Sequence, residues 1–489
     1  MNDIVSYLER KNMYGILQYV AQEYGDFPAI TNCGENQSDH SYRELFEQVE
    51  QVATGLQMNH EMEILQKSSS DKAIHYVLCA KNCYNWIVCF LAIICSGGIV
   101  IPVDANCTDS ELTGAIVSAD AYIVITDREF NRPKITHHTL QEFIQLASER
   151  GSRGEYHACN NENEPSIFLM TSGVTASPKL VMLSQMNLIY STLNGLDAVP
   201  IEPRKRVLSV LPPHHSYEIS CGLLYHLCSG SHIYINDNKT HFINNLRSVE
   251  PQCIVAVPSI VYALTTLMTT ERALNRPSSL AALEIIYCGG AAVDYRSVEL
   301  LKSCGVMVLQ GYGMTECSPA ITFNRVDDFT TNTVGKALRF VQLRIEDNEI
   351  YVKAPNVMIG YYKNPTATAE ALQNGWLHTG DAGYFDSAGH LILCGRIKNT
   401  IVLNTGENVY PEELEERIFH KDQRIQYCKV YEDDGCVSVE LFSTVLAEDN
   451  LYKIIADVND EISSFKRIKK IHILRTMPKV TALGKPYRR

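Results

Sequence analysis

Ser166-Ile-Phe-Leu-Met-Thr-Ser-Gly-Val-Thr-Ala-Ser-Pro-Lys179 is the stretch on which the reading of the fold turns. Its first five residues are an apolar run of strand length. The rest is a loop carrying Thr171, Ser172, Gly173, Thr175 and Ser177 that closes on Lys179. A loop of this composition after a buried strand offers hydroxyl groups, backbone N–H groups and one cation to an anion such as a phosphate. It is not a Walker A loop. Gly173 to Lys179 has the G-x5-K spacing, but the second glycine is missing and Leu180 stands where a Mg²⁺-binding Ser or Thr belongs. Taken alone, the loop is equally a Ser/Thr-rich turn.

Similar runs recur on both sides of it. Residues 99–102, 122–126, 166–170, 207–211, 232–235, 254–257, 284–287 and 306–310 read as short buried strands, with helical patterns at 259–268 and 296–304. Such alternation argues for parallel sheets covered by helices, the α/β class, in which ligands bind beyond the C-terminal strand ends. After Gly395 the texture changes to a small α+β pattern. A turn at 405–408, a helix at 412–419, strands near Gln426 and Val437 and a helix at 452–465 are expected there. The boundary is placed at 396–399, giving a large N-terminal domain, 1–396, and a small C-terminal one, 397–489.

Composition removes other classes. Fifty-six acidic residues against 43 Lys plus Arg leave a net charge of −13, which disfavours a nucleic-acid partner. Sixteen cysteines are scattered from Cys33 to Cys436 without a C-x-x-C pair, so neither a zinc ribbon nor a disulfide framework is indicated; reduced thiols in a cytoplasmic protein are expected. The N-terminus carries Asp3 where a signal peptide is basic. Residues 86–103 imitate a membrane span, but Ser96-Gly97-Gly98 interrupts the run and Pro102 closes it, so a buried helix followed by a strand is expected rather than a transmembrane segment.

Further motifs sharpen the reading. Gln310-Gly-Tyr-Gly-Met-Thr-Glu316 gathers an aromatic, a hydroxyl and an acid, suited to stacking a base, touching a phosphate and holding Mg²⁺. Gly375-Trp-Leu-His-Thr-Gly-Asp381 ends in an acid suited to a ribose diol. With "LPPHHSYE", "GRIKNTIVLNTGENVYPEELE" and "PKVTALGKPYRR", these segments resemble, in order and over almost the whole chain, the adenylate-forming (AMP-binding) superfamily of acyl-CoA synthetases, carrier-protein adenylation domains and luciferases.

The resemblance implies a large N-terminal domain, a small mobile C-terminal domain and a two-step reaction. A carboxylic acid attacks ATP to give an acyl-adenylate and pyrophosphate, and the acyl group then passes to a thiol. It implies that Thr171, Ser172, Gly173, Thr175 and Lys179 hold the β- and γ-phosphates, that Thr315 touches the α-phosphate and that Glu316 holds Mg²⁺. Tyr312 is similar to the adenine-stacking tyrosine, Asp381 to the ribose-binding aspartate and Arg396 to the arginine that reaches the nucleotide from the hinge. Lys485 is similar to the catalytic lysine that bridges the carboxylate and the α-phosphate. Lys398 and Asn399 fall at the hinge; Asn399 departs from the usual residue, and asparagine tolerates unusual backbone angles. Gly406 fits the thiol tunnel, where a missing Cβ admits a pantetheine arm. Val174, Ala176, Leu180 and Gln185 also depart from the family pattern.

The acid pocket is expected among His214, His215, Ser216, Gly289, Gly290 and Ala291. Ser216 stands where amino-acid-activating domains carry an aspartate, and holding an ammonium without a buried acid is costly, so a neutral tail is favoured. "HHSYE" with "GGAAVD" resembles fatty acyl-CoA synthetases most, which implies a fatty acid. The small residues Gly222, Gly289, Gly290, Ala291 and Ala292 either leave room for a chain or allow tight turns, and the sequence leaves both open. No carrier-domain sequence follows Arg489, so the thiol is expected in trans, from CoA or from the phosphopantetheine of a separate acyl carrier protein. A non-catalytic relative is the remaining alternative, suggested by the altered phosphate loop.

Overall fold

The computed structural model describes residues 12–488, apart from 35–36, 67–72, 131, 134, 158–161, 172–178, 237, 292, 404–406, 423, 481–485 and 487, with backbone alone for 59–66. All eight apolar runs expected to be strands are strands, because side chains buried on both faces of a parallel sheet leave no place for polar ones. They divide between two sheets.

In the nine-stranded sheet six neighbours run parallel: Met307–Gly313, Ile285–Cys288, Cys253–Ala256, Arg206–Ser209, His232–Ile235 and Pro28–Asn32. Antiparallel strands extend both edges, Ser38–Ser41 on one side and Ala320–Phe323 with Lys336–Ala337 on the other. The seven-stranded sheet runs parallel from Thr136–His138 through Ile123–Ile125, His75–Leu78 and Ile99–Pro102 to Pro165–Met170. It then reverses into Leu180–Ser184 and Gly360–Tyr361. The reversal follows from the short connection 171–179, which is too brief for a helical crossover and so returns the chain antiparallel.

The false membrane span resolves as expected. Helix Tyr84–Cys95 is buried at every residue but Asn85, and Gly97 turns the chain at φ 84° into strand Ile99–Pro102. A Cβ on Gly98 would lie 2.9 Å from the Tyr76 ring. Among the described residues no helix is long and apolar enough to cross a membrane.

The expected alternation stops at residue 310 and omits a further five-stranded sheet built from Gln342–Glu346, Glu349–Lys353, Trp376–Phe385, Leu372–Gln373 and Leu391–Arg396. In Glu349–Lys353, buried Ile350 and Val352 alternate with partly exposed or exposed residues, so no continuous apolar run marks the strand. From Ile401 onward the chain closes a separate apolar core of Leu414, Ile418, Val430, Val439, Leu441, Ile455 and Val458. Its elements are helix Pro411–Lys421, strands Tyr427–Asp433 and Cys436–Phe442, helix Glu448–Asp460 and strand Lys470–Ile473. The second helix ends before residue 465 because the Asn459 side chain turns to the backbone of Ile468, accepting its N–H at 2.8 Å and donating to its carbonyl at 2.9 Å. Of the expected turn at 405–408, residues 405 and 406 lie outside the described residues, and Asn408–Val409 pairs with Ile401–Val402.

Candidate nucleotide and acid site

The hydroxyl-rich loop caps a hairpin, not a helix. At its neck the Thr171 N–H donates to the Lys179 carbonyl at 3.0 Å, and the Thr171 hydroxyl lies 3.5 Å from the same oxygen. Ser172, Gly173 and Thr175 lie outside the described residues. Lys179 places its ammonium 4.7 Å from the centre of the Tyr361 ring, which stands on the neighbouring strand opposite Val181. The Tyr361 hydroxyl donates to Glu316 Oε1 at 2.9 Å. Burial first, and then the Glu316 carboxylate, push the phenol well above its ordinary range, so it stays protonated and remains a donor. The lysine of one motif and the acid of another thus meet through a tyrosine that no sequence motif marked.

Glu316 is 8% exposed and sits in the short turn Thr315–Cys317 at the end of strand Met307–Gly313. Its backbone carbonyl accepts the Met358 N–H at 2.8 Å, which ties Thr315 and Glu316 to the segment leading to Tyr361. Among the described residues no group of three His, Cys, Asp or Glu side chains gathers as a metal cage.

A second cluster stands beside the first. The Tyr312 hydroxyl donates to Asp381 Oδ2 at 2.7 Å, and Arg396 Nε lies 2.9 Å from Asp381 Oδ1. Asp381 is part of strand Trp376–Phe385, directly opposite Arg396 on Leu391–Arg396, so adjacent strands hold the two in register. Arg396 also donates to the Thr379 carbonyl at 3.0 Å, and the Asp381 N–H donates to the Thr379 hydroxyl at 3.0 Å. Tyr312 is only 8% exposed; burial and the facing carboxylate raise its phenol far above the usual value. Tyr312, on strand Met307–Gly313, and Glu316, in the turn just after it, lie four residues apart in the chain, which sets the two clusters side by side.

The "LPPHHSYE" segment enters a seven-residue π-helix, Glu218–Leu224, a geometry frequent at functional sites. The Ser220 hydroxyl donates to the Ser318 carbonyl at 2.5 Å, setting this helix against the turn that carries Thr315 and Glu316. His214 and His215 meet at 4.2 Å between ring centroids at the helix entrance, their planes tilted by 44°, with Ser216 between them and the helix. Burial lowers the His214 imidazole to about 4 and that of His215 in the same direction.

The three glycines of the expected pocket, Gly222, Gly289 and Gly290, are already in use, and Ala292 lies outside the described residues. A Cβ on Gly289 would lie 3.0 Å from the Tyr217 ring, and one on Gly222 would lie 2.3 Å from the Glu218 carboxylate. Gly290 takes φ 86°, a turn conformation, and it is exposed together with Ala291. The following loop is held by the Gln310 side chain, which accepts the Val293 N–H at 2.9 Å. Of the two meanings open in the sequence, close packing and a turn account for Gly222, Gly289 and Gly290. Tyr217 and Glu218 were not singled out from the sequence, yet they fill this space, and the Tyr217 hydroxyl and Glu218 Oε2 are buried with no hydrogen-bond partner.

At the hinge, Ile397–Asn399 forms a single 3₁₀ turn with Lys398 exposed. Asn399 is not among the described residues with positive φ; its amide instead donates to Glu412 Oε1 at 2.5 Å. The departure at this position therefore serves a side-chain bond, not an unusual backbone angle. Gly406 and Lys485 lie outside the described residues.

A family model described as AMP-binding enzyme matches residues 17–362. The chain belongs to the AMP-binding enzyme family. This AMP-binding enzyme is 26% identical to an oxalate–CoA ligase of Arabidopsis thaliana over 99% of its own length and 98% of that relative's. It is 30% identical to a 2-succinylbenzoate–CoA ligase of Bacillus cereus over 69% of its length and 70% of the relative's. The o-succinylbenzoate coenzyme A synthetase of Bacillus subtilis, solved with ATP and magnesium ion, superposes with a TM-score of 0.79 at 22% identity, covering 95% of this chain and 96% of that one, a likeness of fold. The expected adenylate-forming fold is therefore present, while the relatives named here are ligases of oxalate and 2-succinylbenzoate, which do not single out the fatty acyl-CoA synthetases.

Proposed function

We propose that this AMP-binding enzyme is an acid–thiol ligase that activates a compact carboxylic acid with ATP and Mg²⁺ and passes the acyl group to the thiol of CoA. The observation that carries the reading is the convergence of Lys179 and Glu316, joined through Tyr361, beside Tyr312, Asp381 and Arg396, so that distant motifs meet in one place.

A carboxylic acid with a pKa near about 4 is already ionised at neutral pH, so adenylate formation needs no general base. It needs charge stabilisation, because one anion must approach another. A substrate carboxylate oxygen attacks the α-phosphorus of ATP, and the bond from that phosphorus to the pyrophosphate oxygen breaks. Lys179, with the loop hydroxyls of Thr171, Ser172 and Thr175, takes the leaving pyrophosphate, and Thr315 touches the α-phosphate. Glu316, one oxygen of which Tyr361 engages, would hold Mg²⁺, a cation that prefers carboxylate, phosphate and water oxygens. Mg²⁺ supplies further neutralisation of the phosphates. Asp381, held by Tyr312 and Arg396, accepts the ribose hydroxyls. The thiol sulfur, having lost its proton, then attacks the acyl carbon, and AMP leaves. Residues 1–396 carry the nucleotide and acid sites; residues 397–489 rotate about Lys398 and Asn399 between the half-reactions, bringing in Lys485 for the first and Gly406 for the second.

Compactness of the acid is supported by what fills the pocket. The Tyr217 ring lies over Gly289 and the Glu218 carboxyl over Gly222, so the missing Cβ of each glycine serves close packing and not open space. Two buried polar atoms without partners, the Tyr217 hydroxyl and Glu218 Oε2, favour an acid whose far end carries a hydrogen-bond acceptor. The relatives named for oxalate and 2-succinylbenzoate are consistent with that class.

Hydroxylamine-trapped pyrophosphate release, with dicarboxylic, keto, aromatic and long-chain acids, tests this directly. Release with a compact acid, and a CoA thioester when CoA replaces hydroxylamine, is the expected result. Release with long-chain acids alone would overturn the pocket reading. Transfer only to a holo carrier protein would overturn CoA as acceptor.

A further inference from the structure

We propose that Cys107 and Cys79 are a site of reversible oxidation, closing to a disulfide with hydrogen peroxide and opening again with a thiol reductant. The disulfide stands on the geometry of the two thiols; its effect on turnover rests on the ligase reading.

Three neighbouring parallel strands bring the groups together. Leu78 pairs with Pro102 on one side and with Ile125 on the other, so the chain leaves all three strands at the same end of the sheet. Cys79 follows the first strand, Cys107 stands in the turn after the second and Arg128 in the loop after the third. The Cys107 N–H donates to the Asp104 carbonyl at 3.0 Å, and the Cys79 thiol donates to the same carbonyl at 3.4 Å. The two sulfurs lie 3.8 Å apart, and closing to a disulfide of about 2.05 Å brings them nearer by about 1.8 Å.

The two thiols have unequal surroundings, as stepwise oxidation requires. Cys79 is 2% exposed, and burial raises its thiol, so it keeps its proton. Cys107 is partly exposed, and Arg128 donates both to its sulfur, at 3.5 Å, and to its carbonyl. Cys107 is therefore the sulfur that a peroxide reaches first, with a cation against it. Its sulfur attacks one peroxide oxygen, the O–O bond breaks, one water is released and Cys107 becomes a sulfenic acid. The Cys79 sulfur then attacks the Cys107 sulfur; the S–O bond breaks, and hydroxide departs with the Cys79 proton as a second water. The two thiols lose two electrons in all, which the two peroxide oxygens take up.

The pair borders the expected acid pocket. Asn82, three residues after Cys79, donates to the Ser209 hydroxyl at 3.2 Å, and Ser209 in turn donates to Glu218 on the π-helix. On the other side of the pair, the Asp104 carboxylate opposes part of the effect of burial on His214 and His215. Joining the sulfurs removes the thiol hydrogen bond to the Asp104 carbonyl and draws that turn against the segment leading to Asn82. The acid site is thereby disturbed, while Asp381 and Arg396 stand on strands of a different sheet.

Peroxide treatment of the full-length enzyme, followed by non-reducing peptide mapping, is expected to give a Cys79–Cys107 cross-link that dithiothreitol reverses. Arg128→Met should slow its formation. In the oxidised enzyme the KM for the acid should rise roughly twofold to tenfold, the scale of one hydrogen bond, with the ATP dissociation constant unchanged. The KM of Cys107→Ser should be insensitive to peroxide. Sulfinic acid at Cys107 without a cross-link, or cross-links between other cysteines in its place, would overturn the proposal. A cross-linked enzyme with an unchanged KM would overturn the link to the acid site. A cross-link in an enzyme that releases no pyrophosphate with any acid would uphold the thiol site and overturn the ligase reading.

Discussion

Replacing Glu218 by Gln should change how stability depends on pH. The Glu218 side chain is 3% exposed and accepts a hydrogen bond from the Ser209 hydroxyl through Oε1. Oε2 has no partner and lies in the space that Gly222 leaves by lacking a Cβ. Burial is the largest influence, only partly countered by Ser209, and it pushes the carboxyl up to about 7 from 4.5. An acid whose folded pKa is raised keeps its proton in the native state where the unfolded chain releases it. The stabilisation is complete below about pH 4.5 and is lost as pH rises to about 7. At about 1.4 kcal/mol per unit, the span of roughly 2.5 units is worth about 3 kcal/mol. Glutamine is uncharged throughout and lacks this dependence. Urea unfolding can be followed through Trp86, which lines the same cavity as Glu218 and is 1% exposed. Wild type should lose about 3 kcal/mol relative to Glu218→Gln between about pH 4.5 and 7.5. A difference between the two proteins that stays constant across that range would refute a neutral, buried Glu218.

Asp381→Ala removes the acceptor shared by Tyr312 and Arg396, so the ATP dissociation constant should rise about 10- to 100-fold, the scale of a charge-assisted hydrogen bond, as read by calorimetry. Glu316→Gln should raise the Mg²⁺ concentration needed for half-maximal pyrophosphate release, with Tyr361→Phe giving a smaller shift in the same direction. Because burial lowers the His214 imidazole to about 4, it is neutral at neutral pH; kcat/KM should therefore show no inflection from it between about pH 6 and 8, and His214→Gln should leave the profile's shape unchanged. Gly222→Ala drives a methyl into the Glu218 carboxyl and should cost about 1–3 kcal/mol in thermal unfolding.

The legible parts of the fold were those where the sequence carries one physical signal. Residues 99–102 and 232–235 are uninterrupted or nearly uninterrupted apolar runs because both faces of their strands are covered, and they form strands over those very residues. Leu180–Ser184 was not legible as a strand, since nothing local says that a hydroxyl-rich loop returns antiparallel. Trp376–Phe385 carries Gly380, Asp381 and Gly383 and no continuous apolar run, yet it is the strand that pairs with both Glu349–Lys353 and Leu391–Arg396. At the site, Lys179, Glu316, Tyr312, Asp381 and Arg396 stand out because charge and hydroxyl chemistry concentrate near strand ends. Tyr361 does not, because its part depends on a pairing with Val181 across some 180 residues that no local spacing encodes. The glycines of the acid pocket were ambiguous for the same reason: only the positions of Tyr217 and Glu218 decide what their missing Cβ atoms are for.

The central claim is that a carboxylate oxygen of the acid attacks the α-phosphorus of ATP at this site. Turnover of a carboxyl-¹⁸O-labelled acid with ATP, Mg²⁺ and CoA, followed by mass spectrometry of the nucleotide and phosphate products, tests it most directly. The account predicts one ¹⁸O atom in AMP and none in pyrophosphate; label in inorganic phosphate with ADP as the nucleotide product, or no label transferred at all, would contradict it.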